Sequence, residues 1–170
     1  MNNIFVTGCA GFIGWRVSGR LLEEKVNVTG VDDLNNYYDP MLKQWRLAQL
    51  RSISHTAEKN SRTVFDFYQC DIRDFDSVRK IFTTQKFDAV INLAARAGVR
   101  SSLQDPWVYL DTNVKGTLNL LECCREFGVH KFVLASTSSI YGLKEIPYME
   151  TDRADSPLAP YSATKKGAEV

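Results

Sequence analysis

Charge of one sign is what this sequence most plainly lacks. Its 170 residues carry 21 Lys and Arg against 20 Asp and Glu, a formal net charge of +1. So even a balance gives no electrostatic reason to look for nucleic acid or an anionic membrane surface as partner. No run of about 18 apolar residues is present, the length a membrane-spanning helix needs. The first residues, MNNIFVTG, lack the basic stretch and long apolar segment of a secretory signal. Histidine is reduced to two isolated residues, His55 and His130, and the four cysteines, Cys9, Cys70, Cys123 and Cys124, include no CxxC pair. The common zinc spacings are therefore missing, no metal is expected, and a disulfide framework is disfavoured. Reduced, buried cysteines in a cytoplasmic protein are the simpler reading. What is present, 44% hydrophobic and 24% charged residues, is the composition of a globular domain with a real core.

No repeat, low-complexity tract or linker interrupts the chain. Short apolar runs alternate with helical patterns instead. Asn3–Thr7 reads as a buried strand, followed by a helix whose inner face carries Ile13, Val17 and Leu21. Val26–Val31 is a second strand closed by Asp32. A helix runs from Pro40 to about Arg51 with Asp39 as cap, and the polar stretch Ser52–Arg62 reads as a loop. Thr63–Cys70 is a third strand, a short helix follows near Asp74–Thr83, and Ala89–Ala94 is an almost wholly apolar fourth strand. Asp105 and Pro106 open the next helix, Leu110, Val114, Leu118 and Leu121 form its apolar stripe, and Gly128 ends it. Lys131–Ser136 is a fifth strand. This alternation implies an α/β fold, a doubly wound parallel sheet of right-handed crossovers, with ligands beyond the C-terminal ends of the strands. Tyr161–Val170 reads as the start of a helix in which the sequence stops, leaving the fifth strand an apolar edge. The expectation is a domain, residues 1–170, truncated before a C-terminal substrate domain.

Three motifs carry chemistry. The first is Thr7-Gly8-Cys9-Ala10-Gly11-Phe12-Ile13-Gly14, a GxxGxxG between strand and helix. Gly8 allows a tight turn, Gly11 a close backbone approach to a pyrophosphate, and Gly14 close packing of helix on sheet, while the helix N-terminus offers free N–H groups to the anion. A glycine pattern alone is weak evidence; its place between strand and helix strengthens it. Asp32, about twenty residues on, stands where a carboxylate accepts hydrogen bonds from the adenosine ribose. No Arg or Lys lies within Asp33–Pro40, and a carboxylate repels a 2′-phosphate, so NAD is favoured over NADP. Asp71 could reach the adenine amino group or equally cap the next turn. Phe12, Ile13, Asp33, Ile72 and Leu93, neighbours of these positions, are counted with the cofactor groove.

The second motif is Tyr161-Ser162-Ala163-Thr164-Lys165, a YxxxK that puts both functional groups on one helix face. Oxidising a sugar hydroxyl needs a base for its proton. Free tyrosine titrates near pH ~10, so it needs a nearby cation to serve at neutral pH. The third is the hydroxyl run Ser136-Thr137-Ser138-Ser139 after the fifth strand, from which Thr137 could relay a proton. A simple Ser/Thr turn would carry the same letters.

Taken together, the order of these motifs along the whole chain resembles the extended short-chain dehydrogenase/reductase superfamily, in particular its NAD-dependent nucleotide-sugar epimerase/dehydratase family. The segments Asp32–Pro40, followed by Leu42-Lys43 and Arg46-Leu47, and Asn92-Leu93-Ala94-Ala95-Arg96-Ala97-Gly98-Val99-Arg100-Ser101 look like those of UDP-glucuronate 4-epimerases. The resemblance implies a Rossmann domain binding NAD, with a UDP-sugar as substrate. It implies Tyr161 as base, Lys165 as its modulator and Thr137 as third member, with Tyr161 and Lys165 also touching the cofactor. Ala94 and Ala95 would line the cofactor groove, Asn113 would steady the site, and Arg100, Ser101, Thr137 and Ser138 would approach the sugar. It implies a homodimer through the helix spanning 105–127 and the helix begun at Tyr161. Related dehydratases and decarboxylases carry a carboxyl residue where this chain has Ser138 and Ser139, which disfavours both chemistries. UDP-glucose/galactose epimerisation, UDP-glucuronate decarboxylation and a truncated, non-catalytic NAD-binding module stay open as alternatives. Two residues depart from the family pattern: Trp15, where a small residue is usual, and Gly19, which weakens its helix.

Overall fold

The computed structural model describes residues 3–58 and 63–170. Five parallel strands form one sheet in the order β3-β2-β1-β4-β5, with β1 at Asn3–Thr7, β2 at Asn27–Asp32, β3 at Phe65–Gln69, β4 at Ala89–Asn92 and β5 at Phe132–Leu134. The connections run outward from β1 to β3, then return to lay β4 on its other side. This reversal opens a crevice at the C-terminal ends of β1 and β4, the place where such sheets hold their ligands. The doubly wound expectation is met.

Alternation along β1 sends side chains to both faces. Ile4 and Val6 pack with Leu22, Val28, Leu47 and Leu50 under α1 (Phe12–Glu23) and α2 (Pro40–Glu58). Phe5 points the other way, into Val78, Ile81, Phe82, Val90 and Leu120 under α3 (Phe75–Thr84) and α6 (Gly116–Phe127). Cys9, Cys123 and Cys124 are buried, Cys70 is half-buried, and all four are free thiols. The helix signals hold at several ends. Asp74 accepts from the Ser77 N–H, Asp105 from the Val108 N–H, and Gly128 ends α6 at φ +70°.

The structure corrects four readings. The expected loop Ser52–Arg62 is helical as far as Glu58, because Ser54 turns inward and its hydroxyl donates to the Thr63 carbonyl while accepting the Phe65 N–H; residues 59–62 of that reading lie outside the described residues. The inner face of α1 is Gly14, Ser18 and Leu22, whereas Ile13 is exposed and Val17 and Leu21 are half-buried. The helix expected from Asp105 to Phe127 is built from α5 (Pro106–Tyr109), a π turn (Leu110–Lys115) and α6. Its stripe Leu110, Val114, Leu118 and Leu121 points outward, with Leu118 55% exposed. The buried face is Tyr109, Asn113, Thr117, Leu120 and Cys124, so polar side chains occupy the inner side around the π turn. Strand ends also move by one or two residues, as Ala94 and Ser136 fall in the loops beyond β4 and β5. A short helix not expected from the sequence, α4 (Val99–Ser102), follows β4, and α7 (Pro160–Glu169) packs against α4, α5 and the π turn.

Gly19 is buried in α1 against α2, where an added Cβ would make ordinary contacts with Ile53 Cδ1 at 3.4 Å and Leu50 Cδ2 at 3.7 Å. Glycine in a helix interior costs about 0.5–1 kcal/mol relative to alanine. Gly19→Ala should therefore stabilise the protein by about that amount, read as a higher urea midpoint at an unchanged m-value. A lower midpoint would mean that the 3.4 Å neighbour cannot give.

Candidate functional site

The crevice is built from the strand ends upward. Gly8 follows β1 at φ +66°, and a Cβ there would lie 2.8 Å from the Ala94 nitrogen. The Gly11 N–H donates to the Gly8 carbonyl at 2.9 Å. A Cβ on Gly14 would fall 1.9 Å from that same carbonyl oxygen, so helix and loop meet backbone to backbone. No side chain caps α1 at Gly11, which leaves its first N–H groups open to an anion, with exposed Phe12 and Ile13 beside them. Trp15 does not crowd this loop. Its ring meets Trp45 of α2 edge-on at 5.5 Å, and the Arg16 guanidinium lies 4.2 Å above it.

Asp32 is buried at the end of β2. One carboxylate oxygen accepts the Ala10 N–H at 3.2 Å; the other accepts the Leu34 N–H at 2.9 Å and the Lys43 ammonium at 3.2 Å. The expectation of no cation after β2 covered only Asp33–Pro40. Lys43, in the first turn of α2, folds back over the strand end and corrects it. One turn on, Arg46 donates to the Ala10 carbonyl at 3.1 Å. Both stand in the short segments Leu42-Lys43 and Arg46-Leu47 that carry the family resemblance, but neither was expected at the site. Their signal was position: both fall on the α2 face that carries Leu47 and Leu50. Asp33, the neighbour of Asp32, is tied to the Asn35 side chain.

Asp71 lines the same groove beyond β3 and is held by Arg73 through its backbone N–H, Nε and Nη2. Burial works against its charge, but the Arg73 hydrogen bonds outweigh it and keep the carboxyl below its ordinary range. Ile72 packs under Gly116, and its carbonyl accepts from Asn119. Leu93, Ala94 and Ala95 form the opposite wall. Asn113, in the π turn, accepts the Arg96 N–H at 2.8 Å and donates to the Arg96 carbonyl and to Thr164 Oγ1, each at 3.1 Å. It thereby joins the groove wall to α7. Single π turns inside helices often mark functional sites.

The expected proton-transfer set gathers at the far end. α7 starts at Pro160, with the Ser162 hydroxyl bridging the Ala159 N–H and carbonyl. Tyr161 is half-buried, its ring edge-on to Tyr109 at 6.2 Å. The Tyr109 and Tyr37 hydroxyls both donate to the Ala97 carbonyl, at 2.9 and 2.5 Å. Burial first, then the contact with Tyr37, pushes the Tyr109 phenol up to about 12. Lys165 is only 4% exposed. Burial lowers its pKa, although Glu169 one turn on favours its charge. Thr137 caps a 3-10 turn (Ser138–Tyr141) that packs against α7, and its hydroxyl accepts the Ser139 N–H. The Ser136 hydroxyl donates to Glu169. Ser138, Arg100 and Ser101 are exposed, the last two on α4 where it meets α7. Among the described residues no group of His, Cys, Asp and Glu could hold a metal ion.

Comparison with known proteins follows the same outline. The model of the GDP-mannose 4,6 dehydratase family matches residues 5–170. The UDP-glucuronate 4-epimerase of Thermodesulfobacterium geofontis is 54% identical over 170 residues, all of this chain and 50% of that protein. Among solved structures, the UDP-glucuronic acid 4-epimerase of Bacillus cereus in complex with UDP-glucuronic acid and NAD aligns with a TM-score of 0.82 at 36% identity, over 98% of this chain and 50% of that one. The UDP-Glc/GlcNAc 4-epimerase of Campylobacter jejuni gives 0.83 at 30% identity, over 99% of this chain and 47% of its own. The chain spans about half the length of the curated relatives it matches.

The burial of Lys165 makes a stability prediction with a definite sign. Between its lowered folded pKa and its ordinary value, the unfolded chain holds a proton that the folded chain does not, so this group makes stability rise with pH across that window. Lys165→Met should unfold at a higher temperature than the parent at pH 7, and the advantage should shrink as pH approaches about 10.4, the ordinary lysine value. Thermal unfolding at both pH values tests it; a destabilised variant at pH 7 would mean that the ammonium has strong partners in the fold.

Proposed function

Because the chain belongs to the GDP-mannose 4,6 dehydratase family, we propose that it is the cofactor-binding part of an NAD-dependent UDP-sugar 4-epimerase, with UDP-glucuronate as substrate and UDP-galacturonate as product. The observation that carries the reading is Lys165. It is 4% exposed, one helical turn from Tyr161, on a helix that faces the turn capped by Thr137. A buried ammonium gains most from neighbouring anions, and on this helix face Glu169 stands one turn beyond Lys165 while the Tyr161 hydroxyl, an anion once it gives up its proton, stands one turn before it.

The residues fit the dinucleotide. Gly8 and Gly14 leave a cradle that a Cβ would fill, the open N-terminus of α1 suits a pyrophosphate, and the buried Asp32 carboxylate suits ribose hydroxyls. Bound NAD supplies a hydride acceptor that returns the hydride, so the reaction is redox-neutral. The chain's own residues handle the proton. Tyr161 removes it from the C4 hydroxyl, Thr137 hydrogen-bonds the reacting oxygen, and Lys165 stabilises the phenolate. Asn113 holds the groove wall and α7 at a fixed spacing, so that base and cofactor stay in register. Ser138 and Ser139 offer hydroxyls and no carboxyl, which leaves nothing there to drive elimination or decarboxylation of the oxidised sugar. Arg100 and Ser101 sit on the sugar side. The choice of glucuronate rests on the 54% identical relative and on the Asp32–Pro40 and Asn92–Ser101 segments. The free, mostly buried thiols support a reducing compartment, the cytoplasm. No helix among the described residues is long and apolar enough to cross a membrane.

The outward stripe of the π turn and α6 suits a second copy of the chain. Trp107 and Leu110 are exposed beside Pro160 and Ala163 of α7, Leu118 and Leu121 of α6 are exposed too, and clustered exposed apolar side chains mark contact surfaces. We place the homodimer contact there.

Two experiments on the protein at its natural length test these readings. Tyr161→Phe should lower the conversion of UDP-glucuronate by about 10²–10⁴-fold while NAD binding persists. Turnover close to the parent's sinks the assignment of the base, and a parent that converts UDP-glucose but not UDP-glucuronate moves the substrate. Leu118→Glu should turn a dimer into a monomer in sedimentation equilibrium; an unchanged dimer places the interface elsewhere.

A further inference from the structure

The ribose end of the groove holds a cation between two carboxylates. The Lys43 ammonium lies 3.2 Å from an Asp32 oxygen and 3.9 Å from an Asp33 oxygen. The side chains of Lys43 and Asp32 are 7% and 6% exposed, so the pair is nearly dry. Lys43 is also held still. The N-terminus of α2 is set by Asp39, whose side chain accepts the Met41 N–H and whose carbonyl accepts the Leu42 N–H. Arg46 then clamps the same helix to the Ala10 carbonyl of the glycine loop. The turn of α2 that carries Lys43 is therefore fixed against the glycine loop, with the buried ammonium beside the two carboxylates.

This arrangement changes the physical basis of cofactor choice. A groove with acidic residues and no cation would reject a 2′-phosphate by repulsion alone. Here a cation is present beside the ribose position, and its charge is spent on Asp32. We propose that Lys43 is a ready-made ligand for a 2′-phosphate that Asp32 keeps occupied, so that the size of the preference for NAD over NADP depends on Lys43 as well as on the carboxylate. The proposal builds on the reading that the groove binds NAD. With Asp32 ionised, the three side chains sum to one negative charge, and a phosphate dianion meets a repelling site. Without that carboxylate, Lys43 faces only the more distant and more exposed Asp33, and the ribose end becomes neutral with a fixed donor in it. A fixed, desolvated ammonium binds phosphate far better than a solvated one, since it has little water to give up.

The experiment is calorimetric titration of the nucleotide-free protein with NAD and with NADP, in the parent, Asp32→Ser, Asp32→Ser/Lys43→Gln and Lys43→Gln. The parent should favour NAD by at least about 100-fold. Asp32→Ser should bind NADP at least about tenfold more tightly than the parent does, and the added Lys43→Gln should remove that gain. An Asp32→Ser protein that still binds NAD but gains no NADP affinity overturns the proposal, as does a gain that survives loss of the lysine. Asp32 also accepts two backbone N–H groups, so its replacement could unfold the loop. In that event Lys43→Gln alone decides. It leaves two carboxylates and no cation, and it should raise the ratio of the NADP dissociation constant to that of NAD by at least about tenfold. An unchanged ratio means Lys43 is structural and overturns the proposal. A parent that binds neither nucleotide defeats the NAD reading itself, a result distinct from all of these.

Discussion

Where β1 and β4 end side by side, backbone meets backbone with no room for a side chain, and the rest of the site is arranged around that contact. Gly8 packs on the Leu93–Ala94 peptide, and Gly14 packs on the Gly8 carbonyl. The Thr7 hydroxyl, buried between the strands, fixes the separation. It donates to Asn92 Oδ1 at 2.6 Å and accepts the N–H groups of Leu93 and Ala94 at 3.1 Å each. Those two N–H groups lie beyond the last residue of β4 and would otherwise be unpaired, so one hydroxyl ends the strand and shapes the wall.

From Asn92 the constraint passes through side chains to the other end of the crevice. Asn92 donates to Thr117, Thr117 donates to the Asn113 carbonyl, and the Asn113 amide holds both Arg96 and Thr164. Thr164 adjoins Lys165. Every member is buried and partnered, the condition under which a polar network rigidifies a core instead of weakening it. The π turn is what makes this possible. Asn113 lies within it and reaches the Arg96 backbone and α7 together, while Thr117, just beyond, faces Asn92. A glycine loop at one end of the crevice and a YxxxK helix at the other are thus spaced by hydrogen bonds, not by loops.

Much of this was legible in the letters. Glycines at fixed spacing after a strand, an acid about twenty residues on, and a YxxxK are local patterns, and local patterns survive without coordinates. The parallel sheet follows from strand and helix alternation and the handedness of crossovers, but these leave its order, β3-β2-β1-β4-β5, open. What escaped was through-space or register-dependent. Lys43 lay three residues beyond the window searched for a cation, because the count ran along the chain while the ammonium returns across α2. Leu110, Val114, Leu118 and Leu121 were read as the one apolar stripe of their helix because their period is helical, yet the inner face holds Asn113 and Thr117. An apolar stripe identifies a face that wants covering; it does not say whether the sheet or another surface covers it. Ser52–Glu58 was read as loop from its polarity, although helices with one buried serine are polar too.

Burial offers a further argument that no motif supplies. Some buried polar side chains here are local fixtures, such as Ser162 at the start of α7 or Ser54 at the start of β3. Thr7, Asp32, Lys43, Arg46, Asn92, Asn113, Thr117, Thr164 and Lys165 are different. They come from β1, β2, α2, β4, the π turn, α6 and α7, and all of them lie at the C-terminal side of the sheet. The opposite side of the molecule closes with Phe5, Phe82 and Phe87 in mutual contact. A fold gains nothing in stability by gathering polar and charged groups from seven elements into one dry region, because each must be desolvated before it is partnered. Selection for stability alone would spread or remove them. Their convergence on the crevice is best explained by what the crevice must bind, and Lys165, whose burial opposes its own charge, is the member for which the fold by itself offers least return.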